Sequence, residues 1–163
     1  MTAGNGQHRA PEPDSHRLHE EAAVRLAALD QRYTSSRRAL VDALLAARRP
    51  VAMPEILGVA AGVPQSSAYR NLTVLCEAGV ARRLAGTDDV GRFELAEDLS
   101  GNHHHHHVMC SSCGLVADVG ASPALERSLA EAARVASDET GFEVSAHRID
   151  MMGLCPTCRA AQA

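Results

Sequence analysis

Tryptophan and lysine are absent from these 163 residues, and aromatic side chains make up only 2 % of them. A core without aromatic volume must be packed from Leu, Val, Ala and Met, and the 45 % hydrophobic content is enough to build one. No stretch approaches the roughly 20 apolar residues that a membrane span needs. The polar N-terminus, with Pro11 and Pro13, has no apolar signal-peptide core. No partner membrane is therefore expected, and the chain is expected in the cytoplasm. There is no H-E-x-x-H or nucleophile motif, so an enzyme is not expected. The absence of lysine leaves all positive side-chain charge to arginine and carries no functional reading.

Charge is scarce in total, −4, but it is unevenly placed. Residues 32–92 carry nine Arg against five acids, a local balance of +4, and residues 93–163 carry four Arg against ten acids, a balance of −6. A basic half suits phosphate and an acidic half suits cations. Patterning divides the chain the same way. Residues 1–15 read as a disordered arm, 16–97 as a first, basic domain, 98–102 as a linker, and 103–163 as a second, acidic domain.

Leu18, Ala22, Leu26 and Leu29 recur at helical spacing, which predicts a helix over about 16–32. A second helix carries Leu40, Val41, Leu44 and Leu45, capped by Ser35 or Ser36 and ended at Arg49-Pro50. A short helix follows around Pro54–Ala60. Gly62 and Pro64 make a break. A fourth helix, about Gln65–Ala78, buries Ala68, Leu72 and Leu75 and presents Ser66, Ser67, Tyr69, Arg70 and Thr73. Gly79 takes the left-handed position after it. Strands Ala81–Ala85 and Arg92–Ala96 then form a hairpin. Helix, turn, helix and a two-stranded wing is the order of a winged helix-turn-helix. Tyr69 packing on a neighbouring helix, and Arg82 and Arg83 lying on a solvated wing, are the plainer alternatives to DNA contact. Cys76 reads as core.

The second half reads as β-β-α-β: strands at about His103–Met109 and Leu115–Val119, a helix from Ser122-Pro123 to about Asp138 with Gly141 beyond it, and a strand over about Phe142–Met152. The overall class is α+β, an N-terminal winged helix-turn-helix domain followed by a small α/β domain.

Four of the five cysteines stand as Cys110-Ser111-Ser112-Cys113 and Cys155-Pro156-Thr157-Cys158. Each spacing lets two thiolates of one turn reach one ion, and two such turns complete the tetrahedral set that zinc favours. Gly114 suits the backbone turn of the first knuckle. A redox dithiol is the competing reading, and it is disfavoured because neither pair clearly opens a helix after a strand. On a strand, His103, His105 and His107 face one way and His104 and His106 the other, so one strand feeds two sites. Glu94, Asp118 and Glu126 offer carboxylates, and His147 is the remaining His of this half. Imidazole does not by itself select a metal.

Tyr69-Arg70-Asn71-Leu72, the Phe93-Glu94-Leu95 strand, the HHHHH-V-M-C-S-S-C-G stretch and the terminal C-P-T-C together resemble the ferric-uptake-regulator (Fur) family over roughly residues 30–160. The resemblance implies a homodimeric, metal-dependent repressor of partly palindromic double-stranded operator DNA. It implies structural zinc on Cys110, Cys113, Cys155 and Cys158. It implies a regulatory site from Glu94, His105, His107 and Asp118, and a second site from His104, His106, Glu126 and His147. Zinc or iron is the expected regulatory metal, ahead of manganese or nickel. Ser67, Tyr69, Arg70 and Thr73, with Arg82 and Arg83 of the wing, are expected at DNA. Many iron and peroxide sensors have a ligand His just before the short helix, where this chain has Pro50. High-GC zinc sensors often have a Cys after the wing, where this chain has Ala96. His16 or His19 is then a candidate to complete the regulatory set. A metal store or metallochaperone that uses the His tract without operator binding is the alternative function.

Overall fold

A computed structural model of the chain describes residues 15–84, 90–100 and 105–162; of His105 only the backbone is described. The predicted arm, His103, His104 and the hairpin tip over 85–89 therefore lie outside the described residues. Two compact units are present, one built from described residues up to Leu84 and from Arg92 to Ser100, the other from Val90, Gly91 and the described residues from His105 onward.

The first unit begins with α1 (Ser15–Ala27), which buries Leu18, Ala22 and Leu26 at the expected spacing. It ends earlier than periodicity suggested. Asp30 adopts a left-handed φ of 55°, and Gln31 N bonds Leu26 O at 2.9 Å while Asp30 N bonds Ala27 O at 3.0 Å. These two bonds form a Schellman stop. Helix α2 (Ser35–Ala47) is capped by Thr34, one residue before the expected Ser35 or Ser36. Strand β1 (Val51–Ala52) and α3 (Met53–Val59) follow, then α4 (Gln65–Glu77). Gly79, at φ 65°, closes α4: Val80 N reaches Leu75 O at 2.8 Å and Gly79 N reaches Cys76 O at 3.0 Å. A Cβ at that φ is strained, which is why glycine serves there.

Strands β2 (Ala81–Leu84) and β3 (Arg92–Leu95) pair antiparallel, and β1 adds to the far side of β3, giving the order β1-β3-β2. The wing thus has a third strand of two residues, too short for sequence patterning to reveal. Helix α5 (Glu97–Ser100) occupies the start of the segment read as linker, and its Leu99 joins the core. All of the clustered apolar core lies in this unit, centred on Leu40, Leu44, Ile56, Leu72 and Leu75.

The second unit holds β4 (His105–Cys110), β5 (Val116–Gly120), α6 (Pro123–Thr140), β6 (Asp150–Gly153) and α7 (Pro156–Ala160). The sheet order is β5-β4-β6, with β4–β5 antiparallel and β4–β6 parallel. Ser122 caps α6 by accepting from Leu125 N, and Gly141 follows it at φ 73°, as the sequence suggested. The expected strand over Phe142–Met152 is corrected to Asp150–Gly153, because only those residues pair with β4. Among the described residues no helix is long and apolar enough to cross a membrane.

Candidate metal centres and DNA-reading surface

The four paired cysteines converge. Their sulfurs lie within 4.8 Å of one another, and Cys113 and Cys155 are 3.8 Å apart. An ion bound tetrahedrally with metal–sulfur bonds of about 2.3 Å sets sulfur–sulfur edges of about 3.8 Å, so the donor set fits such an ion. Two turns build it. Gly114, at φ 70°, lets Gly114 N return to Cys110 O at 2.9 Å. Cys155 caps α7, accepting at sulfur from Cys158 N. Ser111 N bonds Gly153 O at 2.8 Å and joins the two turns. The second pair does open a helix after a strand, contrary to expectation, so the case for metal rests on the convergence of four thiols.

Charge in the cluster is uneven. The backbone N–H of Cys155, then that of Cys113, draws the Cys110 thiol down to about 6 against its burial. The Ser112 side chain lowers the Cys158 thiol, but hydrogen bonding with Cys155, Cys113 and Cys110, together with burial, holds it up at about 12. One thiol of the cluster thus ionises readily while ionisation of another is resisted.

Strand β4 feeds two faces. His106 is 1 % exposed, and its Nε2 lies 2.8 Å from Glu126 Oε1 on α6. His147 Nε2 lies 3.2 Å from the other oxygen of that carboxylate. These three therefore form one set of donors, while His104 lies outside the described residues. On the opposite face stands His107, 3 % exposed, with Asp118 Oδ1 3.8 Å from Nε2 and Asp150 Oδ1 3.4 Å from Nδ1. Sequence reading missed Asp150. Its only signal was strand alternation with Met151 and Met152, and its partner depends on a register no motif reveals. The backbone of His105 pairs with Gly120.

In the first unit, Glu94 is 5 % exposed and receives Arg82 Nη2 at 2.5 Å. The other amino group of Arg82 pairs with Glu97 at 2.9 Å. Arg82, an expected DNA contact, is half-buried and holds both carboxylates. Arg83, Tyr69, Arg70 and Thr73 are exposed and Ser67 is half-buried, so α4 presents the expected face. Cys76 packs against the core, and burial raises its thiol. His19 is buried, with Nδ1 at 2.6 Å from the Tyr33 hydroxyl and Nε2 at 2.9 Å from Asp42. Both of its nitrogens are committed inside the unit, which corrects its candidacy as a ligand. His16 is exposed beside Glu20 at 3.4 Å.

A winged helix-turn-helix joined to a unit of convergent Cys, His and carboxylate groups defines a class of metal-linked regulators, and the comparisons agree. The ferric uptake regulator family model matches residues 29–152. The peroxide-responsive repressor PerR of Staphylococcus saprophyticus is 28 % identical over 132 residues, covering 78 % of this chain and 82 % of that protein. PerR of Staphylococcus aureus is 27 % identical over 144 residues, covering 86 % and 90 %. Among solved structures, the Helicobacter pylori ferric uptake regulator superposes with a TM-score of 0.72 at 20 % identity, covering 91 % of this chain and 95 % of that one. The chain belongs to the ferric uptake regulator family, whose members are metal-responsive transcription regulators and not enzymes.

Proposed function

We propose that the chain is a metal-dependent repressor that binds a partly palindromic operator as a cytoplasmic homodimer. The observation that carries this reading is the combination, in one chain, of an exposed α4 face on a winged unit with donor sets on both faces of β4. Zinc is assigned to the four cysteines, whose spacing and thiol content suit it. The regulatory ion, zinc or iron ahead of manganese or nickel, is assigned to Glu94, His105, His107 and Asp118. A second site is assigned to His104, His106, Glu126 and His147. A bound divalent ion would supply positive charge to these carboxylate and imidazole donors. Domains are assigned as an arm over 1–15, the winged unit over 16–97, a short connection and the dimerisation unit from 103.

Arg70 and Arg83 are assigned to phosphate, with Ser67, Tyr69 and Thr73 on the α4 face. Arg82, which pairs with Glu94, is assigned to phosphate with them. A second copy is supported by α6, which buries none of its residues, and by Phe142 and Met152, 74 % and 69 % exposed. A dimer sets two α4 helices about one DNA turn apart.

A gel shift on the chain's own promoter region, with Zn, Fe(II), Mn and Ni added singly, tests the reading. At least one metal is expected to tighten binding by roughly 5- to 150-fold, the range of ordinary allosteric coupling. Binding is expected to weaken steeply with salt. Unchanged affinity with all four metals would overturn it, and metal uptake without DNA binding would indicate a store.

A further inference from the structure

His107, Asp118 and Asp150 occupy one row across the sheet. His107 stands opposite Asp118 on β5 and opposite Asp150 on β6. Residues opposite one another on neighbouring strands point to the same face. The central imidazole is therefore flanked by a carboxylate at each ring nitrogen, and the two flanks differ. Asp150 Oδ1 is 3.4 Å from Nδ1, within reach of a hydrogen bond, whereas Asp118 Oδ1 is 3.8 Å from Nε2, beyond one.

Asp150 is itself held. Arg148 Nε donates to Asp150 Oδ2 at 2.7 Å, and Arg148 Nη2 pairs with the same oxygen. That leaves Oδ1 for His107. A carboxylate oxygen can only accept, so a hydrogen bond on this side places the ring proton on Nδ1. The lone pair is then on Nε2, facing Asp118. A four-coordinate divalent ion with bonds of about 2.0–2.2 Å to nitrogen and oxygen separates those donors by about 3.4 Å. Asp118 has only to close a few tenths of an ångström to meet that spacing.

We propose that Asp150 is the positioning residue of His107: it accepts the Nδ1 proton in a hydrogen bond and so presents Nε2, with Asp118, to a divalent cation. This rests on the assignment of His107 to the regulatory site. Asp150 is not a ligand of that ion, because it lies on the opposite side of the ring. A ligating His commonly gives its other N–H to a carboxylate, and loss of that carboxylate costs about 10- to 100-fold in metal affinity.

The test uses the full chain with its cysteine site loaded, in a His147→Ala background that disables the other His set. Co(II) affinity is measured by chelator competition, its visible spectrum is recorded, and imidazole nitrogen shifts of His107 are read by NMR before Co(II) is added. Wild-type His107 is expected as the Nδ1-protonated tautomer. Asp150→Ala is expected to lose that preference and bind Co(II) 10- to 100-fold more weakly with an unchanged band pattern. Asp150→Asn, which retains an acceptor oxygen, is expected to fall between, and Asp150→Glu to recover part of the affinity. Unchanged Co(II) affinity in Asp150→Ala, beside a large loss in His107→Ala, would overturn the proposal alone. A band pattern showing a lost ligand in Asp150→Ala would overturn it by making Asp150 a direct ligand. Full Co(II) affinity in His107→Ala would overturn the site assignment and the proposal with it.

Discussion

The two units of this chain are held together by different means. The first has a continuous apolar core of buried Leu, Val, Ala, Ile and Met drawn from every helix between α1 and α5. The second buries little apolar surface: Met109, Cys110 and Val116 are its buried hydrophobic residues among those described, alongside His106 and His107. Burial of apolar area stabilises the first unit directly. In the second, two imidazoles are buried beside those few apolar side chains.

The sharpest way to break the comparison is to remove the cysteine site. Structural zinc in small domains contributes apparent free energies of about 10–16 kcal/mol. Cys110→Ser is therefore expected to collapse NMR dispersion for residues 105–162 and leave that of α2 and α4 intact. The converse break is Leu72→Ala, at a position that is 0 % exposed. It is expected to lower stability of the first unit by about 2–5 kcal/mol in urea unfolding, with zinc content unchanged.

Smaller effects test how α4 is anchored. Arg37 is 9 % exposed and donates to Asn71 Oδ1 on α4 at 3.1 Å, to Arg32 O at 2.6 Å and to Gln31 Oε1 at 2.9 Å. Arg37→Ala is expected to cost about 1.5–3 kcal/mol, the value of a hydrogen-bonded charge, read by thermal unfolding. The smallest effect belongs to Arg25, which joins α1 to Asp98 on α5 and donates to Gly79 O at 2.7 Å. The Arg25 hydrogen bond holds the Asp98 carboxyl below its ordinary value of 3.8. A lowered carboxylate pKa stabilises above the ordinary value, and the contribution is lost as pH falls through the folded one. Asp98 is 62 % exposed, so solvent screens the pair and Arg25→Ala is expected to cost under about 1 kcal/mol at neutral pH, shrinking as the medium is acidified below pH 4.

What could be read from sequence follows the same division. Local signals carried the first unit: the periodic apolar residues of α2 and α4, the Gly79 stop and the wing hairpin all express forces within a few residues. Elements fixed by pairing at a distance were not legible. Strand β1 exists because Val51 meets Phe93, and β6 is short because only Asp150–Gly153 meets β4. Helix α5 was hidden in a stretch that reads as polar linker, since Leu99 alone anchors it in the core. In the site, C-x-x-C spacing and strand parity were enough to separate the thiol cluster from the two His faces. Asp150 and the Arg82 clamp were not visible, because a carboxylate's partner depends on register and an arginine's on which acid comes within reach.

The central claim is that donors on the second unit govern DNA affinity in the first. Fluorescence anisotropy of a labelled promoter fragment, titrated with wild-type and His107→Ala protein in the presence and absence of the effective metal, tests it most directly. The account predicts metal tightening of roughly 5- to 150-fold in wild type and none in the variant, whose affinity stays at the metal-free level. Equal tightening in both proteins would contradict it.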